Sequence, residues 1–202
     1  MLTAFQLRDQ RLEQAPNEEA LFPPEDAIWV DLVKPAAEVR AEVEQRYDVR
    51  LPDADDIAEI EATARFFKDE DGLHIHSLFL HDMEDPPVNV TVAFILKDER
   101  LFTLHDQELS TFRLFRLQAR RQPGMIRSAM SILLALFTTK VDRLADILES
   151  VYTGLEAASR AVLGQAESEM EALLESIAKY EDITGKARLS LMDTQRALSF
   201  IL

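Results

Sequence analysis

Between Arg127 and Leu202 the chain contains no proline, and its apolar residues recur at alternating three- and four-residue steps. The first run is Leu133, Phe137, Val141, Leu144, Leu148, Val151, Leu155, Ala158 and Val162. The second is Leu173, Ile177, Tyr180, Thr184, Ala187, Leu191 and Leu198. Such spacing keeps one stripe of a helix against a neighbouring helix along its whole length. The pattern predicts two long helices joined by a turn at Gly164-Gln165. At 1.5 Å per residue each would be roughly 50 Å long, deeper than an ordinary small domain. The second run ends on Ser199-Phe200-Ile201-Leu202 with no glycine cap, basic last turn or following proline. An exposed Phe-Ile-Leu end is unfavourable in water, so the expectation is that Leu202 marks a cut in a longer protein.

Upstream the period changes. Leu2–Leu7 and Ala27–Val33 alternate as strands, separated by a Pro- and Glu-rich loop. Pro35 opens a helix through about Tyr47, with Val39, Val43 and Tyr47 on one face. Pro52 opens a short acidic helix. Arg65-Phe-Phe67, a turn at Asp69–Gly72, and three runs (Leu73–Leu80, Val88–Leu96 and Leu101–His105) read as an antiparallel meander of three strands. A helix over about Leu109–Arg121 ends at Pro123-Gly124, which is the best boundary in the chain. The predicted fold class is α/β: a mixed sheet flanked by helices over residues 1–124, then a long antiparallel helical pair over 125–202.

Composition narrows the function classes. Thirty-seven acidic residues against 22 basic leave a net charge of -15, which argues against nucleic acid and favours cations. The absence of cysteine excludes disulfides and thiolate metal sites. No run approaches the ~20 apolar residues of a membrane span. No nucleophile elbow, phosphate loop, dinucleotide glycine pattern or His-Glu-x-x-His is present, so the chain is expected not to be an enzyme.

Three groups of polar residues remain as candidate sites. Asp55, Asp56 and Glu59 lie three and four residues apart, so on a helix Glu59 sits beside both aspartates. Carboxylates so placed repel one another, and a hard divalent cation relieves that repulsion through oxygen ligands. A solvated acidic helix face has the same pattern. His74 and His76 share a strand face and could hold zinc, but no third ligand stands at a suitable spacing. Arg113, Arg116, Arg120, Arg121 and Arg127, interleaved with Phe112 and Phe115, could dock on an acidic neighbour or form a salt-bridged surface.

The literal residues also carry a resemblance. Ala64-Arg-Phe-Phe67, Asp71-Gly-Leu-His-Ile-His-Ser77, Thr91-Val-Ala-Phe94, Arg100-Leu-Phe-Thr-Leu104, Phe112-Arg-Leu114 and Leu191-Met-Asp-Thr-Gln-Arg-Ala-Leu198, in this order, resemble the CorA magnesium and cobalt transport family in its enterobacterial-like branch. The likeness runs from Leu2 to Phe200. It implies the cytoplasmic part of a homopentameric inner-membrane channel, attached to the membrane through a stalk helix and two C-terminal spans that this sequence lacks. It also implies Mg²⁺, with Co²⁺ and other divalent cations as further candidates, bound between protomers and stabilising the closed state. On this likeness the metal ligands come from Asp55, Asp56 and Glu59. Asp55-Asp56-Ile57 matches the family's acidic pair in type, and Ala58-Glu59-Ile60 matches its distance from Ala64-Arg-Phe-Phe67. A second family acid falls near Leu134 or Ala135, both apolar here. A zinc-transporting ZntB-like domain and a self-standing helical interaction module are the alternatives.

Overall fold

The structure, a computed structural model, describes residues 1–15, 24–53, 65–82, 86–162 and 167–202. Seven strands form one mixed sheet: β1 Leu2–Arg8, β2 Arg11–Gln14, β3 Trp29–Val33, β4 Phe66–Asp69, β5 Gly72–His81, β6 Val88–Lys97 and β7 Arg100–His105. Their order is β2-β1-β3-β7-β6-β5-β4. Only β3 and β7 run parallel, Trp29 opposite Leu101 and Val33 opposite His105. Every other neighbouring pair is antiparallel.

The meander has four strands rather than the expected three, because Phe66–Asp69 pairs with β5. β2 was likewise not expected. Both are four-residue edge strands, too short to show an alternating pattern, and β2 buries only Leu12. The β1–β2 turn is made by Asp9 and Gln10 at φ 47° and 61°, and the β6–β7 turn by Asp98 and Glu99 at the same angles. Two consecutive left-handed residues give the twist that a two-residue hairpin needs. Gly72 (φ 113°) begins β5 where a Cβ would run into the backbone oxygen of Leu96, so glycine is required there.

Strand alternation sorts the core into two layers. On one face Val30, Leu32, Ile95, Phe102 and Leu104 pack against Val43 and Tyr47 of helix α1, Ala37–Tyr47. On the other, Phe5, Trp29, Phe79 and Phe94 meet Phe112 and Phe115 of helix α2, Ser110–Arg121. Leu133, Leu136 and Phe137 of α3, Ala129–Val162, belong to the same cluster. So does Ala197 of α4, Glu167–Ile201. Trp29 stacks on Phe5 at 4.4 Å and meets Phe115 edge-on at 5.5 Å. Each such aromatic pair adds about 0.5–1.5 kcal/mol beyond the area it buries.

The two long helices are as expected, and they run antiparallel: Lys140 lies beside Asp193, and Gly154 beside Tyr180. A Cβ on Gly154 would strike the Tyr180 ring, so the close crossing depends on that glycine. Their packing differs from the expected seam. On α4 the buried residues near the sheet are Ile183, Ala187, Ser190, Asp193, Thr194 and Ala197, while Thr184 is exposed. Of the expected stripe, Ala187 is buried and Leu191 and Leu198 pack on the core, while the small and polar side chains that let α4 lie close on β5 carry no hydropathy signal. At the end of α4, Ile201 packs on the core and Phe200 faces Phe66 at 6.0 Å, leaving Leu202 exposed. The turn expected at Gly164-Gln165 and the acidic helix expected after Pro52 lie outside the described residues.

Candidate functional site

Asp55, Asp56 and Glu59 lie outside the described residues, so their geometry is not part of the structure. Among the described residues no group of three His, Asp or Glu side chains could hold a metal ion. The chemistry of the donor set is the remaining test, and three carboxylates suit a hard cation such as Mg²⁺. Leu134 is exposed and Ala135 half-buried on α3, so neither supplies a ligand for a second cation. His74 and His76 share a face as expected, but His74 Nε2 lies 2.9 Å from Asp69 Oδ1 and its ring stacks on Phe67 at 4.4 Å. That is an ordinary structural role.

Where the acidic segment ends, the chain re-enters the fold at Arg65. Its guanidinium meets Asp193 of α4 at 3.3 Å. Asp193 also accepts from the Ser77 hydroxyl (2.5 Å) and the Leu78 N–H (2.8 Å) of β5. The Lys140 ammonium of α3 donates to Ser77 Oγ at 3.0 Å and stands 3.8 Å from Asp193 Oδ2. It lies over the Phe79 ring at 4.6 Å and is 1 % exposed. Burial is the largest influence on Lys140 and outweighs Asp193, pushing its pKa down to about 7. This clasp joins β5, α3 and α4 around one carboxylate. Ser190 Oγ, donating to the Leu78 carbonyl at 2.6 Å, extends it by a turn of α4.

A second buried cluster sits on the same sheet face under α2. Asp31 Oδ1 accepts from Thr103 (2.6 Å) and lies 3.0 Å from His105 Nε2, and Asp31 Oδ2 lies 3.1 Å from Arg116. His105 Nδ1 is 2.5 Å from the Gln107 carbonyl, so both ring nitrogens face acceptors. Burial opposes the charged ring, but the bond to and charge of Asp31 prevail and hold the His105 pKa above its ordinary value. Arg116 also pairs with Glu108. A third carboxylate, Asp82, takes Arg143 Nε at 2.8 Å and Ser110.

Apart from Arg116, none of these groups was singled out as a candidate from the sequence. The signal was present: Lys140 occupies an inward position between Phe137 and Leu144, and Asp31 an inward position in Trp29–Val33. A charged residue at a core position implies a buried partner, though it does not say which. Of the basic segment, Arg116 is salt-bridged as one reading expected. The side chains of Arg113, Arg120 and Arg121 make no ion pair among the described residues.

A seven-stranded mixed sheet continuing into a long antiparallel hairpin is a fold found in solved structures of low sequence identity. The complete structure of the CorA magnesium transporter from Methanocaldococcus jannaschii superposes with a TM-score of 0.63 at 16 % identity, over 100 % of this chain and 75 % of that one. The ZntB cytoplasmic domain from Vibrio parahaemolyticus gives 0.60 at 12 %, over 98 % of this chain and 89 % of that one. At such identities the likeness is one of fold. Sequence carries the match further. The CorA-like Mg²⁺ transporter protein family matches residues 24–202. Magnesium transport protein CorA of Salmonella typhimurium is 47 % identical over all of this chain, which spans 64 % of that relative's length. The chain belongs to the CorA family.

Proposed function

We propose that this chain is the cation-sensing cytoplasmic region of a magnesium transporter of the inner membrane, with Mg²⁺ held by Asp55, Asp56 and Glu59 against a neighbouring copy in a homopentamer. Residues 1–124 carry the sensing segment, and 125–202 lead toward membrane spans beyond Leu202. No helix among the described residues is long and apolar enough to cross a membrane. Bound Mg²⁺ stabilises the closed state, and Co²⁺ is a further cargo. The chain does no covalent chemistry of its own.

The observation that carries this reading is Arg65. It is the first described residue after the acidic segment, and it is ion-paired to Asp193 on α4, the last helix of the chain. Neutralising three carboxylates by Mg²⁺ would remove their mutual repulsion. Through Arg65 that change would reach α4 at the Asp193 clasp. Half of an inter-protomer site binds weakly, so millimolar Mg²⁺ should raise the melting temperature of the chain by a few degrees at most. At a concentration equal to its dissociation constant a ligand adds only about 0.4 kcal/mol.

The test is Mg²⁺-dependent melting of the wild type and of Asp55→Asn/Asp56→Asn/Glu59→Gln in high KCl, where charge screening is already strong. The triple variant should melt higher without Mg²⁺, because repulsion is gone, and respond less when it is added. Equal responses at matched ionic strength would mean that these carboxylates are a solvated face only.

A further inference from the structure

The arginines of α2 present a second chemistry that a cation sensor does not use. Arg113, Arg116, Leu117 and Arg120 are three, four and seven residues apart, hence on one helical face. Opposite them runs β2, the edge strand. Between the two lies a cleft of about 350 Å³ whose floor is the buried Phe5 and Leu12 and whose rim includes Leu117, half exposed. Arg11 and Arg121 line its continuation. The walls are tied together, since the Gly124 N–H at the end of α2 donates to the Gln10 carbonyl of the β1–β2 turn at 2.7 Å.

Its charge runs against the rest of the molecule. In a chain with 37 acidic and 22 basic residues, an arginine cluster would ordinarily be paired with carboxylates. Arg116 is paired, to Asp31 and Glu108. Among the described residues, the side chains of Arg11, Arg113, Arg120 and Arg121 have no ion pair or hydrogen bond, and Glu13 is the one carboxylate lining the cleft. Arg120 and Arg121 also complement the negative end of the α2 dipole, but Arg113, the fourth residue of the helix, lies near the opposite end where that reason is absent. At physiological ionic strength charges further than about 8 Å away are largely screened, so the overall negative charge does not cancel this local field.

We propose that the cleft between β2 and α2 binds a phosphorylated small molecule, its phosphates held by Arg113 and Arg120 and its less polar part lying over Phe5, Leu12 and Leu117. Guanidinium groups bind phosphate bidentately, and an apolar floor suits a base or an acyl-glycerol stem. The same chemistry is offered by a free nucleotide and by the headgroup of an anionic lipid. The lone tryptophan, Trp29, stacks on Phe5 beneath the cleft and so provides a reporter.

The experiment titrates ATP, without Mg²⁺ and at physiological salt, into the purified chain, reading heat and Trp29 fluorescence. A parallel arm measures co-sedimentation with vesicles of phosphatidylglycerol against phosphatidylcholine. The expected result is saturable binding in one arm, weakened about tenfold or more by Arg113→Ala/Arg120→Ala. The pair Arg113→Lys/Arg120→Lys, which keeps charge and loses the fork, should fall between. Arg188→Ala, exposed on α4 away from the cleft, should bind as the wild type does. Saturation by ATP identifies a nucleotide-type ligand, and saturation by vesicles alone identifies a headgroup. No saturable binding in either arm, equal loss in Arg188→Ala, or equal binding of polyglutamate would overturn the proposal.

Discussion

Two buried polar clusters occupy the same face of one sheet, yet they close their charges differently. Under α2, the carboxylate of Asp31 is 0 % exposed and meets Arg116, His105 and a hydroxyl, while both nitrogens of His105 face acceptors. The ring nitrogens of His105 and both terminal nitrogens of Arg116 have partners there. Between β5, α3 and α4, the carboxylate of Asp193 is equally well served, but Lys140 is not. Its ammonium has one hydrogen bond, to Ser77, with the carboxylate at 3.8 Å and two aromatic rings beside it. A buried charge is tolerated when its donors are filled and costs stability when they are not. The first cluster fixes the central strands. The second leaves a helix attached through a group that can lose its charge near neutrality.

Breaking the first cluster should have the largest effect. Asp31→Ala leaves His105 and Arg116 without their shared anion, and a loss of about 3–5 kcal/mol in denaturant unfolding is expected. A loss under about 1 kcal/mol would show that water replaces the carboxylate. Asp193→Ala comes next, at about 2–3 kcal/mol, since Arg65 is partly exposed and can turn to solvent. Its distinguishing sign should be the place of damage, with amide protection falling in α4 and β5 while β3 and β7 keep theirs.

Lys140→Met should act in the opposite direction. It keeps the packing against Phe79 and Phe137, removes the ammonium, and leaves Asp193 to Arg65, Ser77 and the Leu78 N–H. A gain of about 1–2 kcal/mol below neutrality is expected from urea unfolding, and a loss would mean that the ammonium is a net attraction. The smallest effect is in the pH profiles, where the two clusters differ in sign. With its folded pKa near 7 against 10.5 when free, Lys140 costs stability fully below 7, and the cost is relieved as pH rises. The raised pKa of His105 contributes stability below about 6.5 that is lost as pH rises through the folded value. The difference in stability between Lys140→Met and wild type should therefore shrink above pH 7, by up to about 1.4 kcal/mol per unit.

Much of the fold was legible because its signals are periodic. The long helices, α1, α2 and strands β5 to β7 each show enough repeats to declare their type. Four-residue β2 and β4 do not, and the α4 stripe was legible only in part, because Ser190, Thr194 and Ala197 pack by being small. The polar clusters were legible only in half. Lys140 and Asp31 stand out as charges at inward positions, but their partners lie 53 and 74 residues away, for Asp193 and His105. Separation of that kind is set by topology, such as the parallel pairing of β3 with β7, rather than by any local pattern. The acidic triad was the reverse case. Its spacing admits either a cation site or a solvated acidic face, and its geometry lies outside the described residues.

The proposed coupling from acidic segment to last helix is tested most directly by amide exchange across residues 187–197, with and without Mg²⁺ at constant ionic strength. Wild-type α4 should gain protection around Asp193 when saturating Mg²⁺ is added. Arg65→Ala should lose that gain while its Mg²⁺-dependent melting shift persists. Exchange in α4 that ignores Mg²⁺ in the wild type, under conditions where melting still responds to the cation, would contradict the account.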